Sequence, residues 1–143
     1  MASTCAFCAI ATGEAAAHRV FDEPDAFAFL DIRPLFPGHV LLVPRLHVET
    51  LGDLPPVRVG PLFNQARALT LAIEEALGAD GTFVAMNNRV SQSVPHLHVH
   101  VVPRSRKDGL RGFFWPRQRY TDDAEADRVA EAIGAAYRGR AGS

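Results

Sequence analysis

The sequence has no apolar run approaching the roughly 20 residues that cross a bilayer, only one lysine, and two cysteines that lie close together. The first shortage excludes a membrane-spanning helix. The opening residues "MASTCAFCAI" also lack the basic start and long apolar stretch of a signal peptide, so a cytoplasmic location is expected. An excess of charge is missing too: 16 acidic residues face 15 basic ones, for a formal net charge of −1. No global field therefore draws nucleic acid or an anionic membrane, and any anion site has to be local. The lone Lys107 among many arginines carries no functional inference. Cys5 and Cys8 form a C-x-x-C pair, which in a reducing compartment is a redox or metal motif more often than a structural disulfide. A thioredoxin-like role needs a preceding strand in a βαβ unit, and too little chain precedes the pair.

What is present suits one domain spanning residues 1–143, because 48% hydrophobic residues can bury a core without staples. "EPD" separates the short apolar runs Val20–Asp22 and Ala26–Leu30, which read as a hairpin, and "HVLLVP" after "RPLFPG" reads as a third strand. From Pro61 to Leu77 apolar residues recur at three and four, and Gly78 follows as a stop, so a long helix is expected there. "TFVAM" and "HLHVHVV" read as two neighbouring strands joined by the loop "NNRVSQSVP". A last helix is expected from about Asp122 to Tyr137, with Val129, Ala130, Ile133 and Tyr137 on one face and Asp122 with Glu125 as a capping box. Strands without regular intervening helices imply an α+β fold, an antiparallel sheet of about five strands covered by helices.

Half of the six histidines stand in "HLHVHVV". On a strand His96, His98 and His100 share one face while Leu97, Val99 and Val101 take the other. Packing alone is a poor reason for three neighbouring imidazoles, since each buried ring nitrogen needs a partner. Two chemistries remain: chelation of a metal, or attack by one imidazole on a phosphorus or acyl centre while its neighbours orient it and neutralise charge. The preceding Asn87, Asn88, Ser91, Gln92 and Ser93 would supply neutral donors to a phosphate, and Arg104, Arg106, Lys107 and Arg111 follow. The bland alternative for these is a polar turn and a solvated charge run.

The stretch resembles the signature of the histidine-triad (HIT) family, His-x-His-x-His and two further apolar positions. "CAFCAI", "FLDIRPLFPGHVLLVPRLH", the long helix, "NNRVSQSVPHLHVHVVPR" and "DGLRGFFWPR" follow the order of its bacterial members. The resemblance implies a HIT-like fold with one long central helix and a C-terminal helix, working as a homodimer that joins two sheets. It implies that His98 attacks an α-phosphate to form a nucleotidyl-histidine, that His100 contacts phosphate and helps protonate the leaving group, and that Ser93 contacts the scissile phosphate or leaving atom. Asn87 and Gln92 would face the phosphates, Asp31 the ribose hydroxyls, and Phe7, Phe29 and Ile32 the base, a purine by preference; core packing is the alternative for the last three. His39 would support the site. Cys5, Cys8, His47 and His96 match the zinc ligands of members that begin C-x-x-C, a closed structural set.

The implied activity is hydrolysis of a dinucleoside polyphosphate or a nucleoside phosphoramidate to release a nucleoside monophosphate. A phosphorylase-type nucleotidyl transferase and a nucleotide-binding interaction module with incidental turnover are the alternatives. The segment "RSRKDGLRGFFWPRQRY" reads either as a flap over distal phosphates or as a docked loop, and is no extended groove for nucleic acid.

Overall fold

Three residues separate the first two strands, too few for a crossover, so they must pair antiparallel. The computed structural model, which describes residues 4–111 and 117–140, has this arrangement. Helix α1 (Ala6–Ala11) is followed by β1 (Arg19–Asp22), β2 (Ala26–Leu30) and β3 (Val40–Pro44), then α2 (Pro56–Leu77), β4 (Gly81–Ala85), β5 (Val99–Arg104) and α3 (Asp123–Arg140). The strands form one antiparallel sheet in the order β1-β2-β3-β5-β4. Residues 1–108, with the sheet, α1 and α2, form one compact unit and residues 109–143 a second. The aromatic residues Phe113, Phe114 and Trp115 lie outside the described residues.

β2 and β3 are apolar on both faces because both are covered. Ala26, Ala28, Val40, Leu42, Leu97, Val99 and Val101 share a core with Leu62, Ala66, Leu69 and Ile73 of α2. The other face carries Phe27, Phe29, Leu41 and Val43, joined by Phe7 of α1. The sheet thus separates a dry layer under α2 from a layer roofed by the short N-terminal helix.

Two element starts differ from the sequence reading by three residues or more. α2 begins at Pro56 instead of Pro61, because the Pro55-Pro56 pair provides a pre-set first turn. Pro61 then lies inside the helix. Gly78 ends it in the left-handed conformation, φ 64°, its N–H donating to the Glu74 carbonyl at 3.0 Å. β5 begins only at Val99, since its ladder partners run out there: Leu42 pairs with Val99 and Ala85 with His100. His96, in a bend, and His98 precede the strand, where the Leu97 N–H donates to the Val48 carbonyl at 2.7 Å. The alternation of faces survives nonetheless.

In the second unit, the Glu125 N–H donates to the Asp122 carboxylate at 2.8 Å, but Glu125 reaches back to the Thr121 N–H at 3.0 Å. The box is therefore shifted by one residue on its second side. Val129, Ile133 and Tyr137 of α3 are exposed, and no residue of this helix is buried.

Candidate active site and metal centre

β3 and β5 lie side by side with Leu41 opposite His100, so side chains on that face meet under α1. There a cavity of about 300 Å³ is lined by Phe7, Phe29, Asp31, Ile32, Ser93, His98 and His100 among others, a size at the lower end for a small-molecule site. Phe7 and Phe29 are buried and meet edge to face at 5.6 Å. Ile32 is 84% exposed and forms the rim. No arginine or lysine lines the cavity among the described residues. A phosphate there would meet imidazole and hydroxyl groups.

The row of histidines is held by three different partners. Nε2 of His96 lies 2.7 Å from the Pro44 carbonyl; a carbonyl only accepts, so this nitrogen carries the proton and Nδ1 the lone pair. Nδ1 of His98 lies 2.8 Å from the His96 carbonyl, which by the same reasoning leaves the lone pair on Nε2 of a ring that lines the cavity. His100 Nδ1 lies 2.9 Å from Nε2 of His39. Phe7 packs edge-on against His98 at 4.9 Å and His96 at 5.9 Å, so α1 bears directly on the row.

Asp31 is placed by its own turn: Oδ1 accepts the Arg33 N–H at 2.8 Å, and its N–H donates to the His39 carbonyl at 2.9 Å. His39 is buried behind His100 and does not line the cavity. Asn87 and Gln92 also lie outside the cavity lining. Gln92 accepts the Arg89 N–H at 2.7 Å and donates to the Glu49 carbonyl at 2.7 Å, while Asn87 donates to the Ser91 carbonyl at 3.1 Å. With Arg89 and Ser91 both at positive φ, these amides hold a strained loop that presents Ser93. Leu30, Leu41 and Val94 line the cavity and were missed; only the strand register places Leu41 beside His100.

Burial lowers the His100 pKa to about 4, with His98 and His39 acting in the same direction and Asp31 opposing. Burial likewise holds His39 and His96 below the ordinary imidazole value. The unfolded chain therefore binds protons that the folded chain refuses, and stability falls as pH drops below about 6.5 toward 4. Thermal melting across that range, at constant zinc, should show a shallower loss for His100→Gln than for the wild type.

The second cluster lies beneath the same row. Cys5, Cys8, His47 and His96 bring four ligand atoms within 4.8 Å of one another. Nδ1 of His96 is 3.3 Å from Cys5 Sγ and 3.5 Å from Cys8 Sγ, and Nδ1 of His47 is 3.2 Å from Cys8 Sγ. A tetrahedral zinc with bonds of about 2.0 Å to nitrogen and 2.3 Å to sulfur spaces its ligand atoms by about 3.5 Å. The donor set fits, and the Pro44 carbonyl already orients the His96 lone pair toward the sulfurs, as outer partners of metal-binding histidines do.

The HIT domain family model matches residues 12–107. The chain belongs to the HIT family. Among curated HIT relatives, the adenylylsulfatase HINT3 of Arabidopsis thaliana is 33% identical over 74% of this chain and 55% of its own length. The bis(5'-nucleosyl)-tetraphosphatase of Schizosaccharomyces pombe is 37% identical over 57% and 46%, and the adenosine 5'-monophosphoramidase HNT1 of Saccharomyces cerevisiae 32% over 81% and 72%. The chain thus spans about half the length of the first two. A zinc-bound histidine triad protein of Mycobacterium smegmatis superposes with TM-score 0.72 at 35% identity, covering 95% of this chain and 96% of that one. The architecture is the α+β HIT fold, and relatives of this chain are named as nucleotide hydrolases.

Proposed function

We propose that this HIT protein hydrolyses a nucleotidyl substrate at its α-phosphate, through a nucleotidyl-His98 intermediate, and releases a nucleoside monophosphate. The observation that carries the reading is the His96 carbonyl on Nδ1 of His98, which leaves Nε2 as an unprotonated nucleophile at the cavity. Nε2 attacks phosphorus as the bond to the leaving group breaks; water then displaces the histidine. Ser93, on the cavity wall, contacts the scissile phosphate or the leaving atom. Asp31 accepts from the ribose hydroxyls, and the Phe7–Phe29 pair takes a purine.

The leaving group is a polyphosphate or an amine; both share the His98 step. The names of the relatives span this range, with a tetraphosphatase and a phosphoramidase among them. Diadenosine tetraphosphate and adenosine phosphoramidate, each incubated with the protein, should yield AMP from at least one; AMP from neither contradicts the hydrolase reading. Nucleoside diphosphate in place of AMP, in phosphate buffer, would instead make the protein a phosphorylase.

Structural zinc belongs at Cys5, Cys8, His47 and His96, where it supplies a cross-link between α1, the segment after β3 and the histidine row. The protein acts in the cytoplasm as a homodimer on this reading, without nucleic-acid partners. β4 is a sheet edge with Val84 exposed, the kind of edge that pairs with another chain. No described helix is long and apolar enough to cross a membrane.

A further inference from the structure

His39 is 4% exposed and has both ring nitrogens engaged. Its Nδ1 lies 3.1 Å from the backbone N–H of Leu35, and its Nε2 lies 2.9 Å from Nδ1 of His100. A backbone N–H can only donate, so Nδ1 of His39 must hold a lone pair, and the single proton of the neutral ring sits on Nε2. A charged His39 would place a second proton against the Leu35 N–H. The other acceptor near Nε2 is the Asp31 carboxylate, at 3.8 Å, beyond hydrogen-bond reach. The Nε2–H of His39 therefore donates to Nδ1 of His100, which leaves the His100 proton on its own Nε2.

We propose that His39 is a positioning residue that locks His100 in its Nε2–H tautomer and so makes His100 a neutral hydrogen-bond donor to an anionic oxygen of the substrate phosphate. One main-chain amide, that of Leu35, thus sets the state of a side chain two imidazoles away. The neighbouring ring has the opposite wiring: His98 gives its Nδ1–H to a carbonyl and keeps a lone pair on Nε2. Two histidines with ring centroids 5.0 Å apart thereby serve opposite purposes, one as nucleophile and one as donor. No proton transfer enters the His100 role. Releasing the Nε2 proton while Nδ1 is accepting would leave an imidazolate, so in this tautomer His100 holds the phosphate and does not protonate the leaving group. Burial, which keeps His100 uncharged at neutral pH, agrees with this.

The donor role rests on the nucleotidyl-transfer reading, whereas the tautomer does not, and the test separates them. In the zinc-loaded, substrate-free protein carrying nitrogen-15 histidine, the NMR spectrum at pH 7 should show His100 with a pyrrole-type Nε2 and a pyridine-type Nδ1. His39→Leu, which removes the donor, should shift His100 toward the Nδ1–H form and lower kcat by about tenfold or more, with a smaller change in KM. His39→Gln, whose side-chain amide can replace Nε2–H, should restore the tautomer and most of kcat. A wild-type His100 protonated on Nδ1 would overturn the proposal without any variant. So would an unchanged tautomer in His39→Leu, or a folded His39→Gln no better than His39→Leu. A correct tautomer in a protein that turns over no nucleotide would leave the wiring standing and remove the functional reading instead.

Discussion

His98→Ala should abolish turnover of whichever nucleotide substrate the wild type cleaves, lowering kcat by about a thousandfold or more. The magnitude follows from the two-step route. Without Nε2 no nucleotidyl-enzyme forms, and the direct attack of water must then proceed with only the donors that hold the phosphate. The fold should persist, because the dry core under α2 contains Leu97, Val99 and Val101 but not His98. Far-UV circular dichroism should therefore overlay the wild type. Comparable rates in mutant and wild type would remove His98 as nucleophile. His100→Ala should be slower than wild type but retain the covalent step, since it loses a donor and not the attacking atom.

The second large effect concerns the candidate metal centre. His96→Ala should lower bound zinc and, at zinc concentrations well above the wild-type dissociation constant, lose about 3 kcal/mol or more of stability, a fall in Tm of about 10 °C for a domain of this size. Elemental analysis and melting curves with and without chelator measure both quantities. The effect should reach the active site through Phe7, which lies between the two cysteines in sequence and packs on both His96 and His98. Zinc removal should accordingly raise KM for the nucleotide, as the wall of the base cavity loosens. Unchanged metal content in His96→Ala would take this residue out of the centre.

Much of this arrangement is legible in the residues because it depends on local period. The alternation of His96, His98 and His100 with Leu97, Val99 and Val101 assigns the two faces correctly, and it does so even though the ladder begins only at Val99. What is not legible depends on partners distant in sequence. Nothing local to Gln92 reveals that the Glu49 carbonyl accepts its amide, so the bracing of the loop ahead of Ser93 leaves no trace in the residues. Pro61 reads as a helix start because proline is disfavoured inside helices, yet the Pro55-Pro56 pair sets the start earlier. The tautomers are least accessible of all: they depend on the Pro44 and His96 carbonyls and on the Leu35 amide, main-chain groups with no signature in the sequence.

The most direct test of the central claim is capture of the covalent intermediate. Wild-type protein mixed with diadenosine tetraphosphate or adenosine phosphoramidate, quenched within the first turnover and read by intact-mass and peptide mass spectrometry, should carry one nucleoside monophosphoryl group on His98, and His98→Ala should carry none. AMP release without any adduct at the earliest quench times, or an adduct on His100 or Ser93, would contradict nucleophilic catalysis by His98.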